Sequence, residues 1–96
     1  IITEKGMAGR FFSVVTTLAA APTPRPYTEV YEHCTQCGAC VKRCPAGAIT
    51  QEGGKVHPPC AAFLDHTREL FSPRYGCGKC QTAVPCEASR PSGPKR

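Results

Sequence analysis

"CTQCGACVKRCP", residues 34 to 45, places four cysteines at spacings of two, two and three residues and ends on a proline. Two cysteines separated by two residues turn both sulfurs to one side of a tight loop, and a third at the same spacing supplies three corners of a cuboidal cluster. The run C-x2-C-x2-C-x3-C-P is typical of bacterial two-cluster 4Fe-4S proteins, where the fourth cysteine binds the other cluster. Cys34, Cys37, Cys40, Cys44 and Pro45 match this run at every spacing. The sequence therefore predicts an iron-sulfur domain.

Four further cysteines follow this run, namely Cys60, Cys77, Cys80 and Cys86. Two four-iron clusters need eight ligands, and the chain has eight cysteines. Because Cys77 and Cys80 form their own C-x2-C pair, they are the natural companions of Cys44, and Cys86 is left to complete the first set. We predict one cluster bound by Cys34, Cys37, Cys40 and Cys86 and a second bound by Cys44, Cys60, Cys77 and Cys80. All eight are ligands in this interpretation, and no residue is assigned a catalytic role.

The apolar composition also indicates that a metal helps to hold the fold. Leu, Ile, Val and Phe together account for 16 of the 96 residues, which is below the fifth of a chain at which an independent core becomes doubtful. Hydrophobic burial alone is then too small a driving force for a domain of this size. Since each predicted cluster takes ligands from both ends of the cysteine-rich region, neither half is expected to fold without metal.

The formal net charge of +5 counts every cysteine as neutral. A four-iron core with four thiolates carries about −2 in its usual oxidised state, so two such sites would leave the chain near +1. The remaining positive charge is local, at Lys42, Arg43 and the final Lys95 and Arg96. We interpret it as mostly solvated, with a weak nucleic-acid option left open.

The same sequence bears on two further classes, membrane-spanning proteins and secreted proteins. No apolar run is long enough to span a bilayer. Residues 5–21 imitate a secretory signal, with Lys5 and Arg10 before "FFSVVTTLAAA". Ser13, Thr16 and Thr17 interrupt that run, and no initiator Met precedes it. A secreted protein would favour disulfides, so this imitation bears on the state of the cysteines.

Three other interpretations of the cysteines remain open at this point. A disulfide framework fits the count, with 105 connectivities for eight cysteines, but it gives no reason for the spacing. Paired zinc sites would combine the C-x2-C elements with His33, His57 or His66, although eight cysteines fill two sites without histidine. Inert buried thiols do not account for this density. A freestanding two-cluster ferredoxin and a zinc-bearing nucleic-acid module are the corresponding alternative functions.

Local patterns outside the cysteine runs predict a short series of elements. "RFFSVVTTL", residues 10–18, indicates a strand buried on at least one face, and the proline-rich residues 19–27 indicate an extended connector. Residues 48–50 and 55–57 flank Gly53 and Gly54 and predict a hairpin. A short amphipathic helix is expected over 60–71, ended by Ser72 and Pro73. The predicted divisions are a strand remnant of an upstream domain (1–18), the connector (19–33), the two-cluster domain (34–86) and a flexible basic tail (87–96).

Several stretches together resemble a known family. "ITEKGMAGRFFSVVTT", "CTQCGACVKRCPAGAI", the isolated Cys60 and "YGCGKCQTAVPC" are similar to the C-terminal part of the epoxyqueuosine reductase family and its corrinoid-dependent reductive dehalogenase relatives. The likeness covers nearly all of residues 1–86. It implies an α+β fold, in which a small bacterial-ferredoxin-like two-cluster domain with short helices and a hairpin follows an orphan strand of a truncated nitroreductase-like α/β domain. One departure is the stretch of five residues, "QTAVP", between Cys80 and Cys86, where the family usually has three residues and then Cys-Pro.

The resemblance also carries expectations about cofactors, partners and location. It implies two 4Fe-4S clusters in this chain, and a cobalamin in an upstream catalytic domain of a parent reductase. The fragment alone would be an electron carrier rather than an enzyme. The implied partners are that upstream domain, an external donor such as a flavodoxin or ferredoxin, and a tRNA for the parent, with no membrane. The implied location is cytoplasmic. An exposed strand edge could in addition pair two copies of the chain.

Overall fold

The computed structural model describes residues 1–95, and within them two helices and a two-stranded hairpin occur in the order helix, strand, strand, helix. Helix α1 spans Ala39–Arg43, strand β1 Ile49–Thr50, strand β2 Gly54–Lys55 and helix α2 His57–Phe71. All four elements lie within the cysteine-rich region. This agrees with the predicted small ferredoxin-like domain with short helices and a hairpin.

Helix α1 begins where the backbone turns sharply at Gly38. This residue has a φ of 73°, in the left-handed region that a residue with a Cβ adopts only at a cost. The Lys42 amide donates to the Gly38 carbonyl at 3.2 Å, and at the other end the Cys44 amide donates to the Val41 carbonyl at 3.2 Å. The helix is therefore a single turn that carries Cys40 and is followed directly by Cys44.

The hairpin forms where the sequence predicts it, with slightly different bounds. Ile49 pairs with Lys55 and Thr50 with Gly54 in an antiparallel register. The Gly53 amide donates to the Thr50 hydroxyl at 2.9 Å, so residues 51–53 make the turn and Gly54 already belongs to β2. Just outside the strands, Val56 donates to the carbonyl of Ala48 at 2.8 Å. Ala48 is one of the few buried residues, at 1 % exposure.

Helix α2 is also present, but it begins three residues before the predicted start at residue 60. The early start is compatible with Pro58 and Pro59, because the first turn of a helix does not use its amide protons. The helix ends before Ser72, as predicted, and the Ser72–Pro73 peptide is cis. Leu70 and Phe71 at its end, part of the apolar pattern that predicts an amphipathic helix, are exposed.

The predicted strand over residues 10–18 is not observed. The structure assigns no strand there, and Phe11 and Phe12 are 85 % and 88 % exposed. A strand needs a hydrogen-bonded neighbour, and within residues 1–95 this segment has none. The chain before it is held differently, since the amides of Met7 and Ala8 donate to the carbonyls of Cys86 and Glu87 at 2.8 and 3.1 Å. The assignment of residues 1–18 to an upstream domain stays a prediction.

The two segments predicted to lack regular structure differ from each other. Residues 19–26 are exposed and contain no helix or strand, and the role of residues 19–33 as a connector stays a prediction. In the predicted tail, by contrast, Glu87 is half-buried, and its carboxylate accepts from the Ala83 amide at 2.7 Å. Chain order therefore extends past Cys86. Arg96, the last residue of the predicted tail, lies outside the described residues.

The buried core is very small. Among residues 1–95, the buried apolar residues are Ile2, Ala48 and Val84, and Thr67 is buried with them. The radius of gyration is 15.8 Å, against about 12.5 Å for a compact domain of this length, in keeping with the exposed segments at 10–26. No helix in the described part of the chain has the length and apolar character needed to cross a membrane.

Candidate iron-sulfur sites

Four cysteines from opposite ends of the cysteine-rich region surround one cavity. Its volume is about 140 Å³, and its lining includes Cys34, Cys37, Cys40 and Cys86. These are the four residues that the sequence predicts as the first ligand set. Most of the other lining is apolar, contributed by residues such as Ile2, Val41, Ile49 and Val84. The structure thus places four half-buried thiols together in mostly apolar surroundings.

The loop that carries the first three cysteines is held by polar contacts at its turn. The Cys34 amide donates to the Tyr31 carbonyl at 3.0 Å. Gln36 has a φ of 55°, and its amide points at the Cys34 sulfur at 3.4 Å. The Gln51 side chain, from the hairpin turn, donates to the Gln36 carbonyl. An N–H directed at a sulfur favours the thiolate form and is one of the means by which a protein tunes an iron-sulfur cluster.

Cys86 reaches the cavity through a compact turn. Ala83 has a φ of 52°, and the buried Val84 anchors the turn two residues before the cysteine. The Glu87 amide donates back to the Val84 carbonyl at 3.0 Å. The N-terminal segment covers the outer side, since Met7 donates to the Cys86 carbonyl. The five-residue stretch before Cys86, which departs from the family pattern, therefore forms an ordered turn rather than a displaced loop.

The electrostatics of this set favour a positively charged core between the sulfurs. Burial raises the pKa of the Cys86 thiol, and the nearby Cys40, Cys34 and Cys37 sulfurs raise it further. Burial likewise raises the pKa of Cys40. Four neighbouring thiolates repel one another in such surroundings, and a metal core removes that repulsion by binding each of them. The donor set fits a 4Fe-4S cluster.

The second predicted set, Cys44, Cys60, Cys77 and Cys80, lies on three segments that are tied together by side chains. Arg43 at the end of α1 donates from Nε to the Lys79 carbonyl at 2.9 Å. Thr67, on the same helix as Cys60, accepts from the Gly76 amide at 3.2 Å and donates to the Leu64 carbonyl at 2.7 Å. The Arg43–Lys79 contact and the Gly76–Thr67 contact both end on the segment that holds Cys77 and Cys80.

These four cysteines are half-buried, but a shared cavity like the first is not seen among the other large cavities of residues 1–95. One sulfur has an amide contact of the same kind, since Ala48 donates to the Cys44 sulfur at 3.2 Å. The structure thus brings the segments of the second set into contact, and the common ligation of one cluster by this set stays a prediction.

The state of the cysteines bears on the alternative interpretations. All eight are free thiols, so the described chain contains no disulfide. In residues 1–95, no three His, Cys, Asp or Glu side chains converge on a point that would hold a single metal ion. Tetrahedral zinc needs all its ligands within about 2.3 Å of one centre, whereas a four-iron cluster binds each cysteine at a separate iron and keeps the sulfurs apart. Metal analysis distinguishes these two interpretations.

None of the three histidines lines the first cavity. His33 is half-buried, and its Nε2 lies 4.0 Å from the Glu32 carboxylate, while the exposed His66 lies 3.8 Å from Glu69 on α2.

Sequence reasoning did not identify Arg43, Gln51 or Thr67 as residues that hold the cysteine loops. Their contacts join segments distant in sequence, and their identities alone carry no signal of this.

Comparison with known proteins identifies the nature of the region. Residues 27–50 match the family described as the 4Fe-4S binding domain, so the chain carries a domain of this kind. An epoxyqueuosine reductase of Listeria monocytogenes is 33 % identical over 70 residues, which cover 62 % of this chain and 18 % of that protein. An epoxyqueuosine reductase of Aliivibrio fischeri is 32 % identical over 88 residues, or 81 % of this chain and 24 % of that protein.

A third relative is named "Uncharacterized protein in gldA 3'region" and comes from Geobacillus stearothermophilus. It is 32 % identical over 69 residues, covering 62 % of this chain and 32 % of that protein. The chain thus spans less than a third of the length of each of these relatives. No solved structure matches it. The resemblance to epoxyqueuosine reductases that the sequence predicts is confirmed by these matches.

Proposed function

We propose, from the likeness of this chain to epoxyqueuosine reductases, that it is an electron-transfer domain with two 4Fe-4S clusters and belongs to a larger oxidoreductase. The first cluster is bound by Cys34, Cys37, Cys40 and Cys86. The second is bound by Cys44, Cys60, Cys77 and Cys80. The observation that carries the proposal is the cavity lined by the whole first set, together with the match to the 4Fe-4S binding domain over residues 27–50.

A crossing of ligands between the two ends of the region follows from this assignment. Cys86 joins the three cysteines of the first loop. The turn that precedes Cys86 is anchored by the buried Val84. Cys44 leaves that loop at the end of α1, beside Arg43, whose side chain reaches the Lys79 carbonyl. Each ligand set therefore contains one cysteine from the opposite end of the region. Helix α1 carries Cys40 of the first set and is followed directly by Cys44 of the second, so both sets would depend on this single turn.

The protein's own contribution is to hold the thiolates, exclude water and direct amides at sulfur. A bound 4Fe-4S cluster supplies one-electron transfer. Around the first set, Val41, Ile49 and Val84 keep the surroundings apolar, which disfavours added negative charge. The Gln36 amide points at the Cys34 sulfur and the Ala48 amide at the Cys44 sulfur. These two contacts favour added negative charge. The balance of these two effects sets the potential. No residue of this domain is assigned as acid, base or nucleophile.

The whole protein is proposed to be a cytoplasmic reductase that uses this domain to deliver electrons. Its catalytic part would precede the connector at residues 19–33, and the exposed end of the predicted remnant 1–18 would pack against it, while Met7 and Ala8 remain bonded to the turn of Cys86. The exposed apolar side chains at 11–18 support this, because they are suited to burial against a sheet. A corrinoid and a tRNA substrate would be bound by that catalytic part.

The proposal is tested by measuring iron, acid-labile sulfide and zinc per chain in protein prepared without oxygen. We expect about eight iron and about eight sulfide, the content of two four-iron clusters. About two zinc per chain without sulfide, with no uptake of iron and sulfide on reconstitution, would show structural zinc sites instead. Absence of metal with all thiols paired in disulfides would overturn the assignment of all eight cysteines as ligands.

A further inference from the structure

The surface beside the second ligand set carries four basic side chains that have no acidic partner. They are Lys42, Arg43, Arg74 and Lys79, here called the basic face, and all four are exposed. None takes part in the ion pairs found in residues 1–95. The carboxylate nearest to Arg74 along the chain, that of Glu69, lies beside His66 instead. The basic face is therefore free of ion pairs within residues 1–95.

One contact in the structure brings two of these basic residues, Arg43 and Lys79, together next to the cysteines. Arg43 Nε lies 2.9 Å from the Lys79 carbonyl, although 36 residues separate the two along the chain. Arg43 immediately precedes Cys44, and Lys79 lies between Cys77 and Cys80. The basic face is thus built on the same backbone segments that carry three of the four second-set sulfurs.

An apolar area adjoins the basic face. Leu70, Phe71 and Tyr75 are 60 %, 63 % and 65 % exposed, and a groove lined by Phe71, Arg74, Tyr75 and Gly76 runs between them. Gly76 directly precedes Cys77, and Lys79 lies four positions after Tyr75, a reach of at most about 14 Å. Small interfaces of redox complexes combine an apolar centre with a charged rim in this manner.

We propose that the basic face and the adjoining apolar area dock an acidic electron-donor protein, and that electrons enter the domain at the second ligand set. This inference depends on the proposed electron-transfer function. A positive rim steers an acidic partner to the surface, and docking there places the partner against the loops that hold Cys44, Cys77 and Cys80. A nucleic-acid backbone would use the same charges but would gain little from the exposed Leu70 and Phe71. The observations therefore favour a protein.

The test measures how fast the clusters are reduced by a chemically reduced, acidic plant-type 2Fe-2S ferredoxin, by stopped-flow absorbance under anaerobic conditions. The test variant is K42E/K79E, because neither side chain makes a hydrogen bond or ion pair in the described structure. The matched control is K5E/R10E, which changes the net charge equally. Lys5 and Arg10 lie on the N-terminal segment, whose Met7 contacts Cys86 on the side of the first set.

We expect the rate constant with the ferredoxin to fall at least about tenfold in K42E/K79E and less than about twofold in the control, since steering by charge changes association rates by one to three orders of magnitude. Rising ionic strength should slow the unsubstituted domain and leave K42E/K79E nearly unaffected. Reduction by methyl viologen radical, a small cation that needs no docking, should not be slowed in either variant. If K42E/K79E does not retain its clusters, K42E/R74E is measured in its place.

Several outcomes would overturn the inference. Equal slowing in both charge variants would show an effect of net charge rather than of this face. Unchanged ferredoxin rates with full cluster content would overturn the docking site alone, whereas absence of iron and sulfide in the unsubstituted protein would overturn the proposed function as well. Unchanged ferredoxin rates, together with loss of binding to a fluorescently labelled tRNA in K42E/K79E, would assign the basic face to nucleic acid.

Discussion

A single glycine joins the N-terminal segment to the turn that carries Cys86. Gly6 is buried and has a φ of 78°. A Cβ at this position would meet the backbone of Glu87 and Ala88, which cannot move without shifting the neighbouring Cys86. The close approach lets Met7 and Ala8 donate to the carbonyls of Cys86 and Glu87. The lack of a side chain at Gly6 therefore allows the N-terminal segment to pack against the turn that carries Cys86.

Gly6→Ala is expected to weaken this packing. The left-handed backbone and the contact with the Glu87 peptide each disfavour the methyl group, at a combined cost of about 1–3 kcal/mol. For a domain of this size that corresponds to a fall in melting temperature of roughly 5–20 °C, measured on the cluster-loaded protein by circular dichroism.

The matched control for Gly6→Ala is Gly9→Ala. Gly9 has no positive φ, and a Cβ there would meet nothing within 4 Å. The Gly9 substitution should leave the melting temperature nearly unchanged. Equal effects of the two substitutions would show that the close approach at Gly6 does not stabilise the domain.

At the scale of elements, Thr67 connects helix α2 to the loop of Cys77 and Cys80. Thr67 is 7 % exposed. Its hydroxyl donates to the Leu64 carbonyl and accepts from the Gly76 amide. Thr67→Val keeps the shape but leaves the Gly76 amide without its partner, at a cost of about 1–3 kcal/mol. We expect the second cluster to be lost or altered while the first is retained, measured by iron content and by electron paramagnetic resonance of the reduced protein.

Thr67→Ser is the control, because it restores the hydroxyl without the methyl group. Recovery of the unsubstituted spectrum in the serine variant would assign the effect to the hydrogen bonds. Loss of both clusters to the same degree in Thr67→Val would show instead that the substitution acts on the whole fold rather than on the loop.

Elements that depend on neighbouring residues could be predicted from the sequence, and those that depend on distant partners could not. The hairpin at 49–55 and most of α2 follow local turn and helix signals. The earlier start of α2 was missed because two adjacent prolines usually end a helix, although they are accepted in its first turn. Residues 10–18 have the composition of a strand, yet the described chain offers no ladder for them.

The same distinction applies to the site. The spacing of Cys34, Cys37 and Cys40 is a local property, and it led directly to the loop seen in the structure. Cys86 could be assigned to that set only by elimination, and its place around the same cavity depends on the turn at Ala83 and Val84. Arg43 and Thr67 join segments through side-chain contacts for which sequence spacing gives no signal.

At the scale of the molecule, the size of the core determines how stability depends on metal. The buried apolar residues of the described chain are Ile2, Ala48 and Val84, too few to offset the conformational entropy of ordering the loops. Iron removal by a chelator under reducing conditions should therefore abolish the fold, because metal binding supplies the folding free energy. The measurement is amide dispersion in a two-dimensional nuclear magnetic resonance spectrum, and a well-dispersed spectrum of the iron-free protein would contradict this prediction.

The crossing of ligands makes a last prediction for the whole molecule. In the proposed arrangement Cys86 and Cys44 each bind a cluster whose other ligands lie mostly at the far end of the region, so each holds the two ends together. Cys86→Ala or Cys44→Ala should disturb both clusters, since the freed end no longer positions the ligands of the other site. Cys37→Ala, which removes a ligand within the first loop, should affect chiefly the first cluster. Mössbauer spectroscopy of iron-57-labelled protein resolves the two outcomes, and one fully occupied, undisturbed cluster in Cys86→Ala or Cys44→Ala would contradict the crossing.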